Sequence, residues 1–409
     1  MTLEQEYNSP DIKPNKWAEM SIHDKARILL VLLAFCEKNI VRYALLAFSM
    51  IPVIGFLSEL VLPVLYGVLI ALCIRRSTKI GLTELVVFTF TVSAIFFSCV
   101  LYPDNAKFIL NESNFWNFIF PCLRWFIVGL AIVPDKKMMD ILGLASCFAI
   151  LIETAFLLFY MIPNDLIVSD DMSRSYQLLP NIMIFINYTF DKKKVWAWIV
   201  SGISVIYMLS LGTRGPVFVL LGYLILRLLM ITASTLKSKI ALISCVGVLG
   251  ALFSIPSVYI KILTWLEKML SGLGVSTRII DHMIEGTVIS ETSGRDELYA
   301  TGLEMLAENP WGYGVYGEWP RVHWNIHNMY LEILIHFGVI LGSALLLWML
   351  FFVGNAFLKT KNYDAKNLIL LFGSFVFVRG FFGGTYLHYS TYFLVALCIK
   401  EIRRARKEN

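Results

Sequence analysis

The chain has 409 residues, 57% of them hydrophobic and only 16% charged, with a formal net charge of +5 and a mean hydropathy of +0.69. A soluble domain is about a quarter charged, so this chain has too little charge to cover a water-facing surface and more apolar residues than one core uses. That excludes an ordinary soluble enzyme and makes lipid the solvent for most of the chain.

Residues Met1 to Met20 are polar and lack the basic start, apolar run and cleavage site of a secretory signal, so this end is expected to stay attached and cytosolic. Ile22 to Phe35 carries charge at one end and apolar residues at the other. It is too short to cross, and an amphipathic helix lying in the cytosolic interface is expected. Apolar stretches long enough for the hydrocarbon core then fall near 40–57, 58–74, 82–101, 116–133, 138–162, 176–190, 195–211, 215–232, 239–256, 328–352, 367–383 and 386–400. The fold expected is all-α, a polytopic membrane helix bundle of about twelve spans.

Loop charge tests that count, because connections rich in Lys and Arg stay in the cytoplasm. With the N-terminus inside, the inward connections at 75–79, 134–137, 191–194, 236–239 and 359–366 and the tail 400–409 are all basic. The outward ones are acidic, mixed or thin in basic residues. Both termini therefore read as cytoplasmic. Since most basic residues serve orientation, no nucleic-acid partner is expected. The seven cysteines lie in or beside apolar runs, with neither metal-pair spacing nor a disulfide framework.

One outward segment, Ser257 to Ile326, is far longer than a usual loop. It holds Trp265, Trp311, Trp319 and Trp324 and a helical stretch, Gly294 to Glu308, that closes at Asn309-Pro310. A folded helical lid over the outer mouth is expected, dividing the chain into 1–256, 257–326 and 327–409.

Three outward motifs carry candidate chemistry. In Leu211-Gly-Thr-Arg-Gly-Pro216, Arg214 sits in a tight turn between two spans, where a guanidinium fork suits a phosphate or diphosphate. The plain alternative is an arginine that snorkels to anchor a helix end. In Thr292-Ser-Gly-Arg-Asp296, Arg295 opens the lid helix, a place where a cation opposes the helix dipole and hints at an anionic partner; a surface pair with Asp296 or Glu297 is the alternative. In Arg321-Val-His-Trp-Asn-Ile-His-Asn-Met-Tyr330, His327 is the candidate general base. Arg321, His323, Asn328 and Tyr330 are candidates for binding sugar, Asn328 and Tyr330 being equally suited to capping the helix. His323 and His327 stand four apart, but no third ligand follows at a recognised spacing, so no metal is assigned.

Charge inside spans is costly and marks further candidates. Arg379, on the outer half of its span, and His388 just beyond it face the same rim. Arg124 and Glu153 read as a structural pair, Glu84 and Arg227 as snorkelling groups, and Asp170 with Asp171 as a solvated acidic loop.

From Ser293 to Gly342 the chain resembles the O-antigen polymerase and O-antigen ligase superfamily of bacterial membrane glycosyltransferases. A Gly-Arg opens a helix, an Asn-Pro-x-Gly-x-Gly turn follows at 309–314, and His-Asn-x-Tyr-Leu leads into a helix with Gly338 and Gly342. The turn at 211–215 is similar to the family's Ser-x-Ser-Arg-Gly turn, with Gly212 and Thr213 in place of its serines. The His-Asn-x-Tyr-Leu-Glu form favours a Wzy-type polymerase. The resemblance implies a fold of the GT-C type and a metal-independent, inverting transfer on the periplasmic face of the inner membrane, with no cofactor. It implies undecaprenyl-diphosphate-linked repeat units as substrates, membrane lipids around the bundle, and a chain-length regulator and a flippase as partners. Arg214 and Arg295 would hold the diphosphate and His327 would sit at the acceptor hydroxyl. The short 163–175 loop departs from polymerases that carry a long arginine-repeat loop there. The rivals are the ligase, which hands the glycan to lipid A core, and a polytopic transporter or flippase.

Overall fold

The computed structural model describes residues 20–41, 43, 52–74, 82–111, 114–161, 171–211, 214–232, 235, 237, 240, 244, 256–272, 281, 284, 295–323 and 325–408. Among them the protein is all-helical, with fifteen α-helices and no strand. In chain order these are α1 (Ile22–Cys36), α2 (Pro52–Ile74), α3 (Leu82–Leu101), α4 (Pro103–Asn111) and α5 (Asn114–Ala131). Then come α6 (Lys136–Phe156), α7 (Asp171–Lys192), α8 (Val195–Ser210), α9 (Arg214–Arg227) and α10 (Pro256–Ser271). The last five are α11 (Arg295–Glu308), α12 (Trp319–Val322), α13 (Met329–Lys359), α14 (Tyr363–Phe381) and α15 (Tyr389–Glu408).

Helices are the form that satisfies every backbone group within one segment, which is what an apolar solvent demands. Two stretches, Lys136–Tyr160 and Met329–Lys359, are long and apolar enough to cross a membrane, and five shorter apolar helices accompany them. Their outward faces are apolar too. Val61, Val64 and Val68 on α2 and Leu347, Phe351 and Leu358 on α13 are all exposed, at the three- to seven-residue spacing of one helix side. A belt of that kind would drive aggregation in water and suits lipid. The span expected at 58–74 falls within α2, which runs on through Pro63, while most of the span expected at 40–57 lies outside the described residues. The span expected at 239–256 lies almost wholly outside the described residues. The basic tail extends α15 to Glu408.

The first helix corrects the sequence reading. α1 was expected flat in the interface, yet Leu30 and Val31 are fully buried and Phe35 makes edge contacts with Trp125, Phe372 and Phe393 at 5.2 to 5.9 Å. Its charged start is absorbed locally: Ser21 caps the helix, Asp24 pairs with Arg27, and His23 meets the Leu72 carbonyl. With the charges spent there, the run from Ile28 to Phe35 is free to enter the core.

Intramembrane charges also pair differently from expectation. Arg124 bonds Glu37 at 3.0 Å and lies over the Tyr66 ring, while the Tyr66 hydroxyl donates to Glu37 at 2.7 Å. Glu153 instead accepts from Tyr43 at 3.0 Å and Tyr207 at 3.3 Å. Arg227 is buried against Asn187 and Asp191, and Glu84 is buried against Arg403, so neither snorkels. Asp170 lies outside the described residues and Asp171 opens α7. Glu37→Ala should leave Arg124 uncompensated and lower stability by about 3 kcal/mol, with Glu37→Gln milder, read by thermal unfolding in detergent.

In the segment expected as a lid, 257–326, the described residues include α10, α11 and α12. Its Asn309–Gly314 turn docks onto a break in α13 at Gly338. Tyr313 N–H donates to Ile335 O at 2.8 Å, Gly314 N–H to His336 O at 3.0 Å and Val339 N–H to Pro310 O at 2.8 Å. The two backbones meet where Gly312 (φ +97) and Gly338 (φ +77) lie, and a Cβ on Gly338 would come within 2.5 Å of the Trp311 carbonyl. Gly338→Ala should therefore cost more than the ~1–2 kcal/mol of left-handed backbone alone and loosen the lid, seen as faster proteolysis within 300–323.

Candidate functional site

His327 lies just before α13 with φ 58, one of four non-glycine residues at positive φ among those described. Three of them, Tyr316, His323 and His327, fall within twelve residues just before α13, and strained backbone of this kind gathers at functional sites. Tyr299 of α11 holds the segment by donating to the carbonyls of His327 and Phe381, each at 3.4 Å. Arg295 stands one turn earlier on the same face of α11, so the lid helix brings it to His327. The imidazole opens into a cavity of about 330 Å³. Burial, then the charges of Arg295 and Arg379, hold its pKa below 6.5. A neutral ring that can accept a proton follows.

Across the cavity stand Arg379 and His388. Arg379 Nη1 lies 3.0 Å from His388 Nε2, and His388 Nδ1 meets the Ser390 hydroxyl at 2.7 Å and accepts from the Ser390 N–H at 3.3 Å. The Arg379 guanidinium also lies 4.5 Å from the Tyr176 ring.

Tyr176 ties in the third motif. Its hydroxyl donates to Phe382 O at 3.2 Å, and a Cβ added to Gly215 would fall 1.9 Å from that hydroxyl. Only glycine fits, so the first turn of α9 is pressed against the cavity wall. Arg214 opens α9, and its side chain lies outside the described part.

The other candidates fall elsewhere. Arg321 is exposed and pairs with Glu308, and His323 caps α12 on the outer surface in left-handed conformation. Asn328 caps α13, accepting from Tyr330 N at 3.0 Å and Leu331 N at 3.2 Å. Tyr330 donates to Phe377 O at 2.8 Å and packs on Phe381. Those two hold the helix start that aims His327.

Sequence reasoning missed the wall made by Lys38, Ser173 and Gln177. Lys38 sits in a π-helical turn, Glu37–Val41, that continues α1. The available signal was the charged pair Glu37-Lys38 between two apolar runs. It also missed a buried cluster under the lid. His336 of α13 bonds Glu318 through Nε2 and Tyr386 through Nδ1, and Thr385 donates to Glu332 at 2.7 Å. The three acid and imidazole groups lie within 4.8 Å of one another. With both His336 nitrogens engaged by protein, the cluster ties Glu318 and Tyr386 to α13.

The site is thus a cationic cavity with a neutral imidazole at its rim, in an all-helical protein of membrane character. Residues 199–349 match the family described as O-Antigen ligase, so the chain carries a domain consistent with the O-antigen polymerase and ligase superfamily. That stretch contains Arg214, Arg295 and His327. The family supports a part in surface polysaccharide or lipopolysaccharide biosynthesis and a glycosyltransferase-like enzyme in O-antigen assembly. No curated protein and no solved structure matched the chain.

Proposed function

We propose that the protein is a polymerase that joins undecaprenyl-diphosphate-linked oligosaccharide repeat units into O-antigen or a similar surface polysaccharide. In this reading the chain crosses the plasma membrane about twelve times with both ends cytoplasmic, in a GT-C arrangement, and the lid and cavity face the periplasm. A flippase supplies its substrates and a chain-length regulator acts beside it.

The observation that carries the proposal is His327, held neutral at the cavity beside Arg295 within the family-matched stretch. The acceptor hydroxyl oxygen attacks the anomeric carbon of the donor, and its proton passes to the imidazole. The bond from that carbon to the diphosphate oxygen breaks with inversion, and the diphosphate leaves with its charge matched by Arg295 and Arg214. A guanidinium stays charged near lipid and offers two donors in one plane, which suits this task.

Purified protein in liposomes with lipid-linked repeat units should make a glycan ladder. Transport with no ladder would overturn the proposal in favour of a carrier. The sister activity, the ligase, is separated by deletion: a lost polymerase leaves surface lipid with a single repeat unit, whereas bare core would mean the ligase.

A further inference from the structure

Arg379 has no carboxylate partner among the described residues, and its Nε is buried without a hydrogen bond. Among the described residues its guanidinium meets His388 Nε2 at 3.0 Å and lies over the Tyr176 and Phe375 rings. Lys38 faces the same cavity, its ammonium 4.9 Å from the centre of the Tyr389 ring, and it too lacks a described carboxylate. Among the described residues the cavity lining contains no acid, while Ser173 and Gln177 add polar groups beside Lys38. Two cations with no described carboxylate partner in a partly desolvated space of this size are costly unless an anion enters. The buried carboxylates nearby are spent elsewhere: Glu37, next to Lys38, on Arg124 and Tyr66, and Glu332 on Thr385. Only His327, of the lining residues, lies inside the family-matched 199–349. The wall that asks for an anion is therefore built by other parts of this chain, from α1's extension, α7, α14 and the start of α15.

We propose that Lys38 and Arg379 form an anion subsite facing His327, which binds an anionic oxygen group, a phosphate or a carboxylate, of the substrate. His388 orients the Arg379 fork through its hydrogen bond, and Ser390 holds the His388 ring through contacts to Nδ1. The subsite stands on the cavity itself, and its assignment to a glycan substrate rests on the glycosyl-transfer reading above. Two sources fit the chemistry: the diphosphate of the carrier lipid, or an acidic sugar in the repeat unit.

The test is thermal unfolding of the full chain in nanodiscs of neutral lipid, titrated with inorganic pyrophosphate and separately with glucuronate. At least one anion should raise the midpoint of the wild type. Lys38→Gln should weaken that anion about tenfold, and Arg379→Gln more, since it loses a two-donor fork. Lys38→Gln keeps a polar group of similar length at a half-buried position, so it remains informative if Arg379→Gln fails to fold. Stabilisation by pyrophosphate alone assigns the subsite to the lipid diphosphate, and by glucuronate assigns it to an acidic sugar. No shift with either anion, or equal shifts in wild type and Lys38→Gln, overturns the proposal. His327→Asn should retain anion binding. A wild type that binds the anion and makes no ladder would sink the polymerase reading and leave the subsite standing, whereas a ladder without anion binding would do the reverse.

Discussion

His327→Ala should cut glycosyl transfer by about a hundred- to ten-thousand-fold, the usual contribution of a positioned general base, with the protein still folded and inserted. His327→Asn is the sharper variant. Asparagine tolerates the left-handed backbone that His327 adopts at φ 58, so a loss there isolates the missing imidazole from any backbone effect. The acid limb of the wild-type rate should lie below 6.5, because burial and then Arg295 and Arg379 disfavour the imidazolium. Activity should hold as pH falls through 6.5 and drop only below it. The same shift acts on stability. A group whose folded pKa is depressed contributes stability present above the unfolded value and lost as pH falls through the folded one, so this histidine costs the fold nothing above that acid window and its full penalty below it. Full activity in His327→Asn would remove the residue from the mechanism.

What could be read from the chain followed from how local each feature is. The lid helix was legible because its signals are adjacent: a Gly-Arg opening and an Asn-Pro close, and α11 runs Arg295–Glu308. Apolar runs marked most helices for the same reason. α1 was misread because its charged start resembles an interfacial helix, and only contacts with Trp125, Phe372 and Phe393 reveal that its other end is core. Gly338 stood inside an apolar run with no neighbour to mark a break; the turn that requires it comes from the lid. The cavity is the extreme case. His327 and Arg295 were visible through motif and local charge, but Lys38 reaches them from the first helical segment, and nothing in spacing links residues that far apart. Arg321 and His323 illustrate the reverse error: nearness in sequence to His327 placed them in the site, while the short α12 and the left-handed turn at His323 carry them to the outer surface. Arg124 and Glu153 looked like partners because both are charges in spans, yet helix packing gave each a different one.

Arg295→Ala should lower transfer by about a hundred- to a thousand-fold, the size seen when one fixed donor to a developing charge is removed. The leaving diphosphate gains negative charge as the glycosyl bond breaks, so the guanidinium acts most on the transition state and the loss should appear in kcat more than in KM. Arg295→Lys should rescue poorly, since a point charge replaces a planar pair of donors. Two features of the fold make the test specific to charge. The residue opens α11, where a cation opposes the helix dipole, so its removal should not destabilise the lid helix. The anchoring of that helix belongs to Tyr299, which bonds the His327 and Phe381 carbonyls. Arg295→Gln should also move the acid limb of the rate upward toward 6.5, because one of the two charges that suppress the imidazolium is gone. A variant that loses activity without moving that limb would place Arg295 away from His327 during turnover. One that moves the limb and keeps its rate would leave Arg295 tuning the base and take it off the diphosphate.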